Sequence, residues 1–222
     1  MTTWIRAAWS HPSGVLLVVQ LLGVLLYPFL EESVIGRSAL SIFALGVLVL
    51  AVRAVRATPA WTWVAALLVL PVFVFTILEA FQPDNAAVVL TSSLLHAAFY
   101  LYTTYGLISY MFNDRRVTSD ELLATGATFT VVAWAFAYLY VAIQIIWPGS
   151  FTATLDPGAE RSWMELLYLS FTTLTSTGLS DVLPVLSHAR ALVMIEQVVG
   201  LMYVALVISR IVGLTLYRDR RT

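Results

Sequence analysis

Between Leu166 and Pro184 the chain reads LLYLSFTTLTSTGLSDVLP, and hydroxyls dominate it: Thr172, Thr173, Thr175, Ser176 and Thr177 precede Gly178, and Leu179, Ser180 and Asp181 follow. The segment lies between two long apolar runs and is too short to span a bilayer, which takes about 20 residues. Its oxygens have no use in lipid contact. Irregular polar backbone at membrane depth is tolerated only where it is buried in protein or lines water, so this stretch either packs inside protein or faces an aqueous path.

Covalent chemistry finds no support elsewhere in the chain. There is no HExxH, no glycine-rich phosphate loop followed by lysine and no GxSxG, and the three histidines are scattered at His11, His96 and His188. The acids do not cluster as a metal site demands. No cysteine is present, which excludes disulfides, thiolate metal sites and cysteine nucleophiles. An enzyme is not expected. With 60% hydrophobic and 11% charged residues and a mean hydropathy of +0.87, the chain reads as an integral membrane protein. Its net charge of -1 gives no long-range attraction for nucleic acid.

The sequence SFTTLTSTGLSDVLP resembles the pore segment of the tetrameric potassium-channel superfamily, whose usual form runs close to SFTTLTTVGYGDIVP. Ser176, Thr177, Gly178, Leu179 and Ser180 fall on its five filter positions and Asp181 on the acidic residue that follows. Glu196 to Leu214, EQVVGLMYVALVISRIVGL, is similar to the inner helix of bacterial members. The likeness covers roughly Ala124 to Leu216. It implies potassium ions held by filter carbonyls over Thr175, Ser176, Thr177, Gly178, Leu179 and Ser180, with Asp181 at the outer mouth and Glu196 and Tyr168 supporting the filter. Gly200 matches a position that serves that family as a gating hinge; a glycine in a membrane helix also simply lets another helix approach, and both readings stay open. Three departures stand out: Thr177 replaces the valine, Leu179 the tyrosine and Ser180 the second glycine. Ser180 is expected to take a strained backbone angle, at about 1–3 kcal/mol, or to turn its carbonyl elsewhere. Leu179 removes the phenol that ties the family's filter to the surrounding helices.

The elements that must position this stretch follow from the apolar runs. Four precede it, at about Gly14 to Leu30, Ser38 to Val55, Trp61 to Ala80 and Ala86 to Met111. Thr118 and Glu121 read as a capping box opening an outer helix over 119–147, and Ser162 and Glu165 as a second one opening a pore helix over 162–175. The filter then occupies 176–181 and an inner helix 186–217. The pore helix would end toward the filter, where its partial negative charge favours a cation. The expected fold is an all-α membrane protein of six transmembrane helices plus a re-entrant pore helix and selectivity filter. Its boundary separates a four-helix peripheral region, 1–117, from a pore domain, 118–222.

Arginine placement orients it. With both termini cytoplasmic, Arg6, Arg53, Arg56, Arg115, Arg116, Arg210, Arg218, Arg220 and Arg221 lie inside and only Arg37, Arg161 and Arg190 outside, as the positive-inside rule requires. The expected location is the cell (inner) membrane. A voltage sensor needs arginines at every third residue of a membrane helix, and the fourth run has none. Glu79 and His96 read as structural, whereas Glu196, on the outer half of the inner helix, is placed to accept a backbone or hydroxyl hydrogen bond behind the filter. One chain supplies one pore segment, so a closed ring requires a homotetramer. The expected function is passive cation conduction, potassium first, with a nonselective monovalent channel as the alternative and a non-conducting accessory protein or a transporter as the second. No cofactor is expected beyond the permeant potassium or sodium. The partners are further copies of the chain and the lipid bilayer, with a cytosolic regulator in trans among the routes left open for gating.

Overall fold

The computed structural model describes residues 11–31, 34–56, 62–112 and 119–219. The apolar runs become α1 (Pro12–Leu30), α2 (Val34–Arg56), α3 (Thr62–Phe81), α4 (Ala86–Phe112) and α5 (Ser119–Ile146); then come β1 (Phe151–Ala153), α6 (Trp163–Leu174), β2 (Val182–Pro184) and α7 (Ser187–Asp219). Among the described residues five helices are long and apolar enough to cross a membrane, over Pro12–Leu30, Trp63–Phe81, Ala86–Phe112, Asp120–Ile146 and Ser187–Arg210. In α2 the apolar stretch among the residues whose side chains are described is Ile42–Val55. The molecule is an all-α membrane protein. Thr118, expected to cap α5, lies outside the described residues, as do Arg6, Trp61, Arg115, Arg116, Arg220 and Arg221.

The chain packs as two compact units that divide inside α5, between Val132 and Ala133, rather than ahead of that helix. Polar contacts explain why the first half of α5 belongs with α1. The Ser13 hydroxyl donates to Asp120 Oδ2 at 3.0 Å, and nearly three turns further along α5 Thr130 Oγ1 donates to Gln20 Oε1 at 2.8 Å. All four residues are buried. In the same unit α3 and α4 form a hairpin in which Asn85 caps α4, its Oδ1 accepting from the Ala87 N–H at 3.1 Å. His96 is fully inside, with Nδ1 2.9 Å from the Ser92 carbonyl and Nε2 3.3 Å from Thr76 Oγ1. A carbonyl only accepts, so Nδ1 carries the hydrogen.

In the second unit the segment between α5 and α7 leaves and returns at one end. β1 and β2 pair antiparallel, Phe151 opposite Pro184 and Ala153 opposite Val182, and the Val185 N–H donates to the Ser150 carbonyl at 2.8 Å. Everything from 154 to 181 is thus a closed excursion. Arg161 organises its start: the buried guanidinium donates to the Asp156 carbonyl at 2.7 Å and to the Ala159 carbonyl, and pairs with Glu165 at 3.3 Å. Gln144 of α5 grips the Arg161 backbone from both sides, Nε2 to its carbonyl at 3.0 Å and Oε1 from its N–H at 2.9 Å.

The second capping box forms as expected. Ser162 Oγ accepts the Glu165 N–H at 3.2 Å and Glu165 Oε2 accepts the Ser162 N–H at 2.6 Å, so α6 begins with two of its otherwise unpaired donors satisfied. Trp163 then packs edge-on against Trp134, ring centroids 5.3 Å apart. Replacing Ser162 with alanine removes one cap bond and is expected to cost about 1 kcal/mol, seen as a lower unfolding midpoint in detergent.

Candidate functional site

The stretch singled out by its hydroxyls begins where α6 ends. Helix termini leave four carbonyls without intrahelical donors, and here the chain itself supplies most of the missing ones. The Ser176 N–H donates to the Thr173 carbonyl at 2.9 Å and the Thr177 N–H to the Thr172 carbonyl at 3.0 Å. Those are the paired bonds of a Schellman cap, which needs a left-handed residue just past the helix. Ser176 fills that position at φ 58. The strain expected at Ser180 therefore sits at Ser176, at about 1–2 kcal/mol for a residue with a Cβ. Gly178, at φ 65, is the other left-handed position of the loop, and Ser180 is not one.

The loop's carbonyls can be counted from these amides. In a planar trans peptide the C=O of one residue and the N–H of the next point in opposite directions. The amides of Ser176, Thr177 and Gly178 all face α6, the last donating to Thr172 at 3.2 Å. The carbonyls of Thr175, Ser176 and Thr177 consequently face away from the helix. Leu179 behaves differently: its carbonyl accepts from the Tyr168 hydroxyl at 3.2 Å. The tie that Leu179 was expected to remove is made from the opposite side, by a phenol on α6. Ser180 turns its hydroxyl back on the chain and accepts the Val182 N–H at 3.1 Å.

Phe171 also gives up its carbonyl locally, to the Thr175 N–H at 3.1 Å and the Thr175 hydroxyl at 2.7 Å. With Phe171, Thr172 and Thr173 engaged, much of the partial charge expected at this helix end is already matched. What remains open is the outward row of carbonyls, since the Thr175 and Thr177 hydroxyls also turn back onto Phe171 and Thr172. Thr175, Ser176, Thr177, Gly178 and Leu179 are exposed, although Thr172, Thr173 and Leu174 just before them are buried. Asp181, also exposed, is the only formal charge of the loop.

Two rungs fasten α6 to α7. Ser170 Oγ lies within hydrogen-bond reach of both Glu196 and the Ala133 carbonyl, the latter at 2.9 Å, its one hydrogen serving either acceptor, while the Tyr140 hydroxyl donates to the other Glu196 oxygen. The Glu196 carboxyl, fully buried, thereby joins α5, α6 and α7. One turn further, Leu174 rests on Gly200: a Cβ there would lie 2.8 Å from the Leu174 carbonyl carbon and closer still to its oxygen. Residues four apart share a helix face, so Ser170 with Leu174 and Glu196 with Gly200 define one parallel contact. Gly200 lies about 20 Å along α7 from Ser187 at 1.5 Å per residue. Glu196 was visible in the sequence as an acid in an apolar helix; Ser170, Tyr140 and the Gln144–Arg161 clamp carried no comparable signal.

The outward atoms of the loop are carbonyl oxygens, of the kind that suits a hard cation. Among the described residues no three of His, Cys, Asp or Glu come together to hold a metal ion. Residues 126–216 match a protein-family model described as an ion channel, a span that runs from within α5 into α7. The match supports an ion-channel family. No curated protein and no solved structure matches the chain.

Replacing Glu196 with alanine leaves the buried Tyr140 hydroxyl without its acceptor and should cost about 1–3 kcal/mol, whereas Glu196→Gln keeps an acceptor oxygen and most of the thermal midpoint. Gly200→Ala gains up to about 1 kcal/mol of helix propensity but forces Leu174 aside, at roughly 1–3 kcal/mol for overpacking. The expected net result is a lower midpoint, and a higher one would remove the close contact.

Proposed function

We propose that the chain forms a passive cation channel that conducts potassium, assembled as a fourfold homotetramer with the loop Thr175–Asp181 lining the path. The observation that carries this reading is the exposure of the loop. Exposed carbonyls stand open at the end of a buried apolar helix, at a depth where lipid gives them no partner, and a ring of copies around a water-filled axis would supply one. The family match over 126–216 supports ion conduction, and the resemblance of the loop to potassium-channel filters supports the choice of ion.

In this reading the carbonyls of Thr175, Ser176 and Thr177 replace part of the hydration shell, and ions pass in file by mutual displacement. Four Asp181 carboxylates at the outer mouth concentrate cations and repel anions. α2 adds the sixth crossing, both termini face the cytoplasm and the site is the cell membrane. Because α4 carries no arginine, opening is not expected to depend steeply on voltage.

The test is cation flux into liposomes holding the purified full chain under opposed potassium and sodium gradients, with Gly178→Ala beside it. Nothing lies within 4 Å of a Cβ built at Gly178, so that substitution acts through its left-handed backbone alone, at about 1–2 kcal/mol. Potassium flux in the parent and its collapse in the variant are expected. No flux of either ion from a tetrameric preparation would overturn the proposal in favour of a non-conducting accessory protein.

A further inference from the structure

The outer part of the loop departs from the rest in the direction of its backbone. Three successive carbonyls, those of Thr175, Ser176 and Thr177, point away from α6 because the amides that follow them are bound to its last turn. The Leu179 carbonyl is instead held by the hydroxyl of Tyr168, a residue of α6 itself. Immediately after it, the Ser180 hydroxyl captures the Val182 N–H, which bends the chain into β2 in place of a further extended residue. One hydroxyl thus ties the outer half of the loop to α6 and the other ties it to the strand that follows.

We infer that Tyr168 is a specificity-determining residue: by holding the Leu179 carbonyl on the helix side it withdraws one ring of oxygens from the ion path, so the channel distinguishes potassium from sodium only weakly. The inference rests on the channel reading and deepens it. Discrimination between two monovalent cations depends on how many carbonyl dipoles replace water around the ion and how firmly they are held. A file whose inner rings are intact and whose outer ring faces backwards strips each ion incompletely. Water completes the shell above Thr177, and water accommodates sodium as readily as potassium.

Tyr168 is a positioning residue in this account, since it touches the carbonyl and never the ion. Its phenol is well placed for such a role: the side chain is half exposed and makes its bond from the flank of the helix, outside the contact that Ser170 and Leu174 make with α7. Removing the hydroxyl alone leaves the packing of α6 intact and frees the carbonyl to turn.

The experiment is the bi-ionic reversal potential of the purified full chain in planar bilayers, potassium on one side and sodium on the other, for the parent and Tyr168→Phe. A potassium-to-sodium permeability ratio below about tenfold is expected in the parent, rising at least several-fold in the variant as the outer ring is restored. An unchanged ratio in a conducting Tyr168→Phe channel would sink the inference and leave the channel reading standing. A parent that passes neither cation removes the channel reading and this inference with it. Solid-state NMR of the parent in lipid vesicles adds a measurement that needs no variant. With uniform 13C and 15N labelling and sequential assignment, which separates Leu179–Ser180 from the Leu–Ser peptides at 40–41, 169–170 and 186–187, the Leu179 carbonyl signal should stay in place when potassium is exchanged for sodium, and a signal that moves with the ion overturns the assignment.

Discussion

A helix that stops inside a membrane must find donors for its last carbonyls, and much of the second unit follows from how α6 meets that demand. Its own continuation provides them. The amides of Thr175, Ser176, Thr177 and Gly178 turn back onto Phe171, Thr172 and Thr173, and each amide so committed commits the carbonyl ahead of it to the opposite side. The outward row of oxygens at Thr175, Ser176 and Thr177 is therefore a by-product of capping. A serine at the left-handed cap position costs more than glycine would, and the chain accepts that cost where a hydroxyl adds one more oxygen to the row.

Holding such a loop requires that the helix beneath it not roll. Rotation of α6 is opposed at three levels: the Arg161 and Ser162–Glu165 network at its start, the buried Glu196 carboxyl at its middle and Gly200 at its end. These restraints differ in kind. The first is a cage of backbone carbonyls around a guanidinium, the second a carboxyl shared among three helices, the third a steric fit that depends on the absence of a side chain.

The helices were legible in the sequence because apolar runs of the right length have few alternatives in lipid, and six of the seven helices match an expected run to within two or three residues at the start and end; α2 differs, starting four residues earlier than expected. The α6 start was legible because a capping box is a local pattern. The division inside α5 was not, since hydropathy treats Thr128, Thr130 and Asp120 as interruptions and cannot see that their partners, where they have them across helices, stand on α1. The loop shows both cases. Its place and composition could be read, as could Glu196, an acid with no reason to be in an apolar helix. The direction of the Leu179 carbonyl could not, because it depends on a phenol eleven residues away on another element. The strain moved from Ser180 to Ser176 for a related reason: left-handed geometry is required by the helix cap, which a comparison of filter residues alone leaves out of view.

The two rungs between α6 and α7 share one spacing, Ser170 with Glu196 and Leu174 with Gly200, and that spacing acts as a pair of teeth. Sliding α7 by one residue would bring a side chain where Gly200 leaves room and pull the carboxyl off both hydroxyls at once. The helices can separate or they can travel together, but they have no intermediate register. Axial motion of α7, whatever sets it going, is consequently delivered to the loop as displacement instead of being lost in slippage, so that the oxygen row at the end of α6 moves in step with the longest helix of the protein.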